Sequence, residues 1–133
     1  MQIVTYLTFD GRCEAAFKFY ADCLGGKIEA MIPHAGTHSA EHVPAEWQNK
    51  IMHASLAVGG QQLMGSDAPP AHYQRTQGMS VSLHLSDPAE AARIFTALAS
   101  EGTVNMPLQP TPLARSFGML VDQFGIPWMI NCA

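Results

Sequence analysis

One order of elements occurs twice in this chain, and it leaves few folds open. A strand of β-branched and aromatic residues over positions 3–9 runs through Asp10-Gly11 into a helix. The apolar residues of that helix, Cys13, Ala16, Phe17, Tyr20 and Leu24, fall on a single stripe. Gly25-Gly26 closes the helix. A strand over 27–32 follows, then a loop rich in His, Gly and Pro over 33–49. Next comes a hairpin, 51–58 and 61–66, around Gly59-Gly60. A linker with Pro69-Pro70 separates this set from the second one. The order restarts with a strand over 79–85 and the sequence Asp87-Pro88-Ala89-Glu90, which supplies a cap, a first-turn proline and a capping-box glutamate. Ala91, Ile94, Phe95 and Leu98 form the buried stripe of that helix, and Gly102 ends it. A strand over 103–108, a Pro-rich loop and an apolar hairpin over 117–130 complete the set. Asp122 to Gly125 carries the turn of this last hairpin. Glu14, Ala15, Ala16, Phe19, Ala21 and Gly26 match Glu90, Ala91, Ala92, Phe95, Ala97 and Gly102 as a weak internal repeat.

The expected fold class is α+β, with two βαβββ modules side by side forming a curved eight-stranded mixed sheet. The chain reads as a single domain over 1–133, with module one at 1–67, a linker at 68–78 and module two at 79–133. At 133 residues, 47% hydrophobic and 14% charged, it can bury a core without metal or disulfide staples. A net charge of −4 and scattered basic residues argue against nucleic acid as a partner. No apolar run approaches the roughly 20 residues that span a bilayer, so no membrane partner is expected. The first residues show no basic flank and no cleavable apolar segment, so a cytoplasmic location is expected. Cys13 and Cys23, ten residues apart on one helix, stand roughly 15 Å from each other, too far to bridge. An odd cysteine count without C-x-x-C spacing points to free thiols in a reducing compartment, acting as small core hydrophobes.

Four stretches carry a resemblance: YLTFDG (Tyr6 to Gly11), EAAFKFYADCLGG (Glu14 to Gly26), IMHASLAVGGQQLMGSD (Ile51 to Asp67) and FGMLVDQFGIPWMIN (Phe117 to Asn131). In this order they resemble the vicinal oxygen chelate superfamily, the glyoxalase and bleomycin-resistance fold. They are closest to its PhnB-like branch, which often carries a demethylubiquinone methyltransferase-like label. Thr111-Pro112-Leu113 departs from that pattern, where relatives tend to carry Thr-Phe-Trp. The resemblance implies a cup in the sheet, homodimers, and, in the superfamily's metalloenzymes, a divalent metal held by His or carboxylate side chains. The matching positions here are Thr5, Met64, Ser80 and Met129, and their immediate neighbours contain no His, Asp, Glu or Cys. The standard metal site is therefore expected to be absent, and no cofactor is expected.

Strand alternation assigns the faces. With a two-residue turn at Gly59-Gly60, Ser55 pairs with Met64 and His53 with Ser66. His53, Ser55, Ala57, Gln62, Met64 and Ser66 then line the cup, while Ala54, Leu56, Val58 and Leu63 face the helix. The same alternation sends Ser80, Ser82, His84, Phe117, Met119, Met129 and Asn131 to the cup, and Val81, Leu83, Leu85, Trp128 and Ile130 to the helix side. Such a mixed apolar and hydroxyl lining suits a small organic molecule.

His53 and His84 are candidate catalytic bases, or hydrogen-bonded histidines in a polar cavity. His34, His38 and His42 stand at i, i+4 and i+8, but Pro33 and Gly36 oppose a helix, so a solvated loop is expected. Asp67 is expected to cap the turn before Ala68-Pro69-Pro70 rather than to act as a ligand or base. Met64 and Met129 read as packing residues, and Arg115 either as an anchor for an anion or as a surface charge on a loop edge. Three functions follow. The first is a metal-independent binder of a small molecule. The second is a metal-dependent lyase, isomerase or dioxygenase with displaced ligands such as His53 and His84. The third is the methyltransferase of the branch label, disfavoured because no Gly-rich strand-turn-helix is present to hold S-adenosylmethionine.

Overall fold

The computed structural model describes residues 1–133. The chain divides into two units, Met1–Arg75 and Thr76–Ala133. The first contains β1 (Thr5–Phe9), α1 (Cys13–Leu24), β2 (Lys27–Pro33), β3 (Ile51–Val58) and β4 (Gln61–Asp67). Its four strands lie in the order β1-β4-β3-β2, with β1 parallel to β4 and the other pairs antiparallel. The second contains β5 (Val81–Leu85), α2 (Pro88–Ala99), β6 (Thr103–Thr111), β7 (Ala114–Val121) and β8 (Pro127–Cys132). Its order is β5-β8-β7-β6, with β5 parallel to β8. All eight expected strands are present, hydrogen-bonded as two sets of four, and the fold is the α+β arrangement of paired βαβββ modules.

In the first unit α1 buries Cys13, Ala16, Phe17, Tyr20 and Cys23 against its sheet. Phe9, Phe17 and Tyr20 pack ring to ring, with centroids 6.0 to 6.4 Å apart. Such edge and tilted contacts add to the area they bury. Cys23 takes the deep position expected of Leu24, which is half-buried. Gly25 ends the helix in the left-handed conformation at φ 71°.

The start of α1 has no local cap, since Arg12 makes no side-chain capping bond. Asp67 supplies it from the far end of β4, which corrects the expected turn cap. Its Oδ1 accepts from the backbone N–H of Gly11 at 3.0 Å and of Cys13 at 2.9 Å, and its Oδ2 from Ile51 N–H at 2.9 Å. The solvated histidine loop is corrected too. His34 is only 6% exposed, with Nδ1 2.7 Å from Ser39 Oγ and Nε2 3.4 Å from the Asp67 carbonyl. His38–His42 and Ala45–Trp47 form short 3-10 turns, which place three residues per turn and do not stack i, i+4 side chains. His38 and His42 stay exposed.

In the second unit Asp87 caps α2 by accepting from Ala89 N–H at 3.0 Å. The capping box does not close, because Glu90 pairs with Arg93 one turn on. At the other end Glu101, not a glycine, takes the positive φ of 59°. Gly102 is needed for space instead, since a Cβ there would overlap the Val121 carbonyl oxygen. The strand β6 runs through Pro107 and Pro110 to Thr111, so the expected Pro-rich loop is a hairpin turning at Pro112-Leu113. Edge position and register shifts along β6 let it hold prolines that cannot donate to a ladder. The hairpin β7-β8 sits in the middle of the sheet, with Leu120, Trp128 and Ile130 fully buried. Asp122 closes its turn, Oδ1 accepting from Phe124 and Ile126 N–H at 2.8 and 3.0 Å, while Oδ2 accepts from Trp128 Nε1 at 2.8 Å.

Two stability predictions follow from these contacts. Asp67→Asn turns an acceptor into an NH2 group facing a backbone donor, and should lower unfolding free energy by about 2 kcal/mol in urea titrations. Glu101→Gly relieves the left-handed strain and should raise it by about 1 kcal/mol in the same measurement.

Candidate functional site

Each helix covers one face of its own sheet, and the other face stays open. In the first unit Ala54, Leu56, Leu63 and Gly65 lie on the helix side, and a Cβ at Gly65 would press on the Phe17 ring. The register pairs Ser55 with Met64, Ala57 with Gln62 and Val58 with Gln61, as the two-residue turn requires. His53, Ser55, Gln62, Met64 and Ser66 therefore share the open face. Most are half-buried, but Ser55 is only 6% exposed.

The parallel pairing of β1 with β4 adds a residue that sequence reasoning missed. Tyr6 pairs with Met64, whereas Thr5 pairs with the helix-facing Leu63. Tyr6 is 48% exposed, its ring 6.0 Å from that of His53 and inclined by 26°, with its hydroxyl 3.4 Å from His53 Nδ1. The signal was the alternation of the first strand, in which Leu7 and Phe9 are core and Tyr6 and Thr8 must point the other way.

In the second unit Trp128 and Ile130 face α2, and Gly118 lets the helix come close, since a Cβ there would meet the Phe95 ring. Phe117 pairs with Asn131 and Met119 with Met129 on the open face. Ser82 pairs with Met129 and His84 with Asn131. Ser82 Oγ lies 2.9 Å from His84 Nε2, and both residues are exposed. Ser80 stands one residue ahead of β5, outside the paired register. Arg115 is exposed on the strand β7 rather than on a loop edge.

The donor chemistry does not suit the divalent metal of the superfamily. The strand positions that pair on the open faces carry Tyr6 beside Met64, and Ser82 beside Met129. Hydroxyl and thioether groups are poor ligands for such ions, which favour imidazole, carboxylate or thiolate. No group of three or more His, Cys, Asp or Glu side chains stands ready to share an ion. All three cysteines are buried. Burial first, then the charges of Asp67 and Glu14, push the Cys13 thiol well above its ordinary range, so it is no nucleophile at neutral pH.

The family model described as 3-demethylubiquinone-9 3-methyltransferase matches residues 1–131. The chain is 34% identical over 139 residues to Protein YjdN of Escherichia coli (strain K12), covering 98% of this chain and 95% of that one. Among solved structures it is similar to protein PA1353 from Pseudomonas aeruginosa, with 50% identity, a TM-score of 0.90, and 99% and 97% of the two chains covered. A PhnB protein from Bacillus cereus matches at 27% identity and a TM-score of 0.84 over 100% of both chains. A possible glyoxalase from Bacillus cereus, at 15% identity and a TM-score of 0.63 over 99% of both chains, shares the fold.

Proposed function

The chain belongs to the PhnB-like family described as 3-demethylubiquinone-9 3-methyltransferase, and from that premise we propose that it binds a small organic molecule on an open sheet face without a metal ion. The observation that carries the reading is the lining. Threonine, serine and methionine stand at the positions that match the metal ligands of the superfamily, Thr5, Met64, Ser80 and Met129, and the open faces around them add serine, glutamine and asparagine side chains. The methyltransferase description finds no matching site among these residues. Gly25-Gly26 sits at a helix C-terminus and Gly59-Gly60 in a hairpin turn, so neither opens a helix toward a nucleoside cofactor. No helix is long and apolar enough to cross a membrane.

A thermal-shift screen of small organic compounds on metal-stripped, untagged protein should give hits that raise Tm without added metal. Hits that all require an ion, or stoichiometric Ni, Zn, Fe or Mn in the purified protein, would replace this reading with a metalloenzyme.

We propose further that the protein is a homodimer, as the family resemblance implies. Light scattering at micromolar concentration should return twice the 14.4 kDa chain mass, and a monomer mass would refute it.

A further inference from the structure

The open face of the first sheet has a regular layout. Across β2, β3, β4 and β1, one row reads Ala30, Ser55, Met64, Tyr6. The neighbouring row contains Ile32, His53 and Ser66. Tyr6 and His53 stand on strands separated by β4, about 9.5 Å apart at the usual spacing. Their rings nevertheless meet above β4, which makes a wall beside Ser55 and Ala30, the small residues of the floor.

Ser55 gives the independent sign of a ligand. It is 6% exposed, yet its hydroxyl makes no hydrogen bond in the protein. Every side-chain N or O atom that is fully closed off has a partner, so this hydroxyl keeps an opening onto the sheet face. A buried hydroxyl with no protein partner and one open side can bond only to a group that enters from that side.

We propose that this face holds a seat for a planar aromatic ring with a neutral polar edge, such as a carboxamide, with Ser55 at the floor and the Tyr6–His53 pair as the wall. The proposal rests on the small-molecule reading above and names the ligand class for it. The exposed Tyr6 ring offers a flat apolar surface on which another ring stacks or meets edge-on. Whichever way the Tyr6–His53 proton points, the pair presents one donor and one acceptor. If Tyr6 donates to Nδ1, Nε2 carries a proton outward. If Nδ1 donates, the phenol proton is free and Nε2 accepts. Ser55 both donates and accepts. A carboxamide edge answers this set, whereas a carboxylate would find no lysine or arginine in either row. Lys27 lies beside Ala57, one row further on, and Glu29 is engaged by Gln62 at 3.2 Å.

The test is an NMR titration of the full chain with benzamide, and with cyclohexanecarboxamide, which keeps the polar edge and lacks the flat ring. Benzamide should give saturable shifts at Ser55, Tyr6 and His53. The saturated analogue should bind about tenfold more weakly, and so should benzamide to Tyr6→Ala. Tyr6→Phe keeps the ring and should keep the preference for benzamide. Because Tyr6 is half exposed, both variants should retain the wild-type spectrum elsewhere. Equal affinity for the two compounds, an unaffected Tyr6→Ala, or no saturable shift with benzamide would overturn the aromatic seat. If benzamide fails while screened compounds still shift open-face signals, this inference falls and the binding reading stands. If neither shifts them, both fall.

Discussion

A single carboxylate holds the first unit in shape. Asp67, at the end of β4, accepts from the amides of Gly11 and Cys13 at the entry to α1 and from the first amide of β3, while its own carbonyl meets His34. A charge buried to 4% exposure is tolerable only when such donors replace its water. The positive end of the α1 dipole adds to the effect. The register of β1 against β4 makes this possible, since Phe9 pairs with Asp67 and the chain enters α1 directly beyond it. Fixing that corner lays α1 across one face and leaves the other face free.

The second unit reaches the same outline with different fastenings. Both helices have twelve residues, and each first strand pairs in parallel with the last strand of its unit. Yet α2 is capped locally by Asp87. The buried carboxylate is Asp122, spent on a hairpin turn and on the indole of Trp128. The repeat thus preserves element order and the amphipathic pattern while the polar anchors have diverged. This fits a fold whose architecture comes from packing, with the anchors adjusting each corner.

That difference explains what the sequence disclosed. Helix stripes, the glycine turn and the two-residue alternation are local periodicities, so the helix-facing residues Leu56, Leu63, Trp128 and Ile130 could be assigned before any coordinates. So could Ser55, Met64, Met129 and Asn131 on the open faces. The Asp67 bond to Cys13 spans 54 positions and has no local pattern. An Asp before Ala-Pro-Pro reads as a turn residue because only the chain's return brings α1 to it. His34 was misread for the same reason, since its burial depends on β4 arriving beside it. Tyr6 is legible in the parity of β1, but the position matching a metal ligand of the superfamily is its neighbour Thr5. The strand β6 was hidden by its prolines, which an edge strand accepts and a central one does not.

The two open faces are also chemically unequal, and this bears on the proposed binding. On the second sheet Ser82 is bonded to His84, and Met119 pairs directly with Met129. Unbranched thioether side chains reshape easily around whatever touches them. On the first sheet the groups have fewer rotatable bonds than methionine. The Tyr6 and His53 rings stand 6.0 Å apart beside small residues, and the largely buried Ser55 hydroxyl has no partner in the protein. Preorganised groups lose little freedom on binding and so discriminate between ligands, while flexible ones contribute contact area with less selectivity. Under the proposed binding, selectivity would rest on Tyr6, His53 and Ser55, whereas a ligand on the methionine-lined face of the second sheet would be discriminated less.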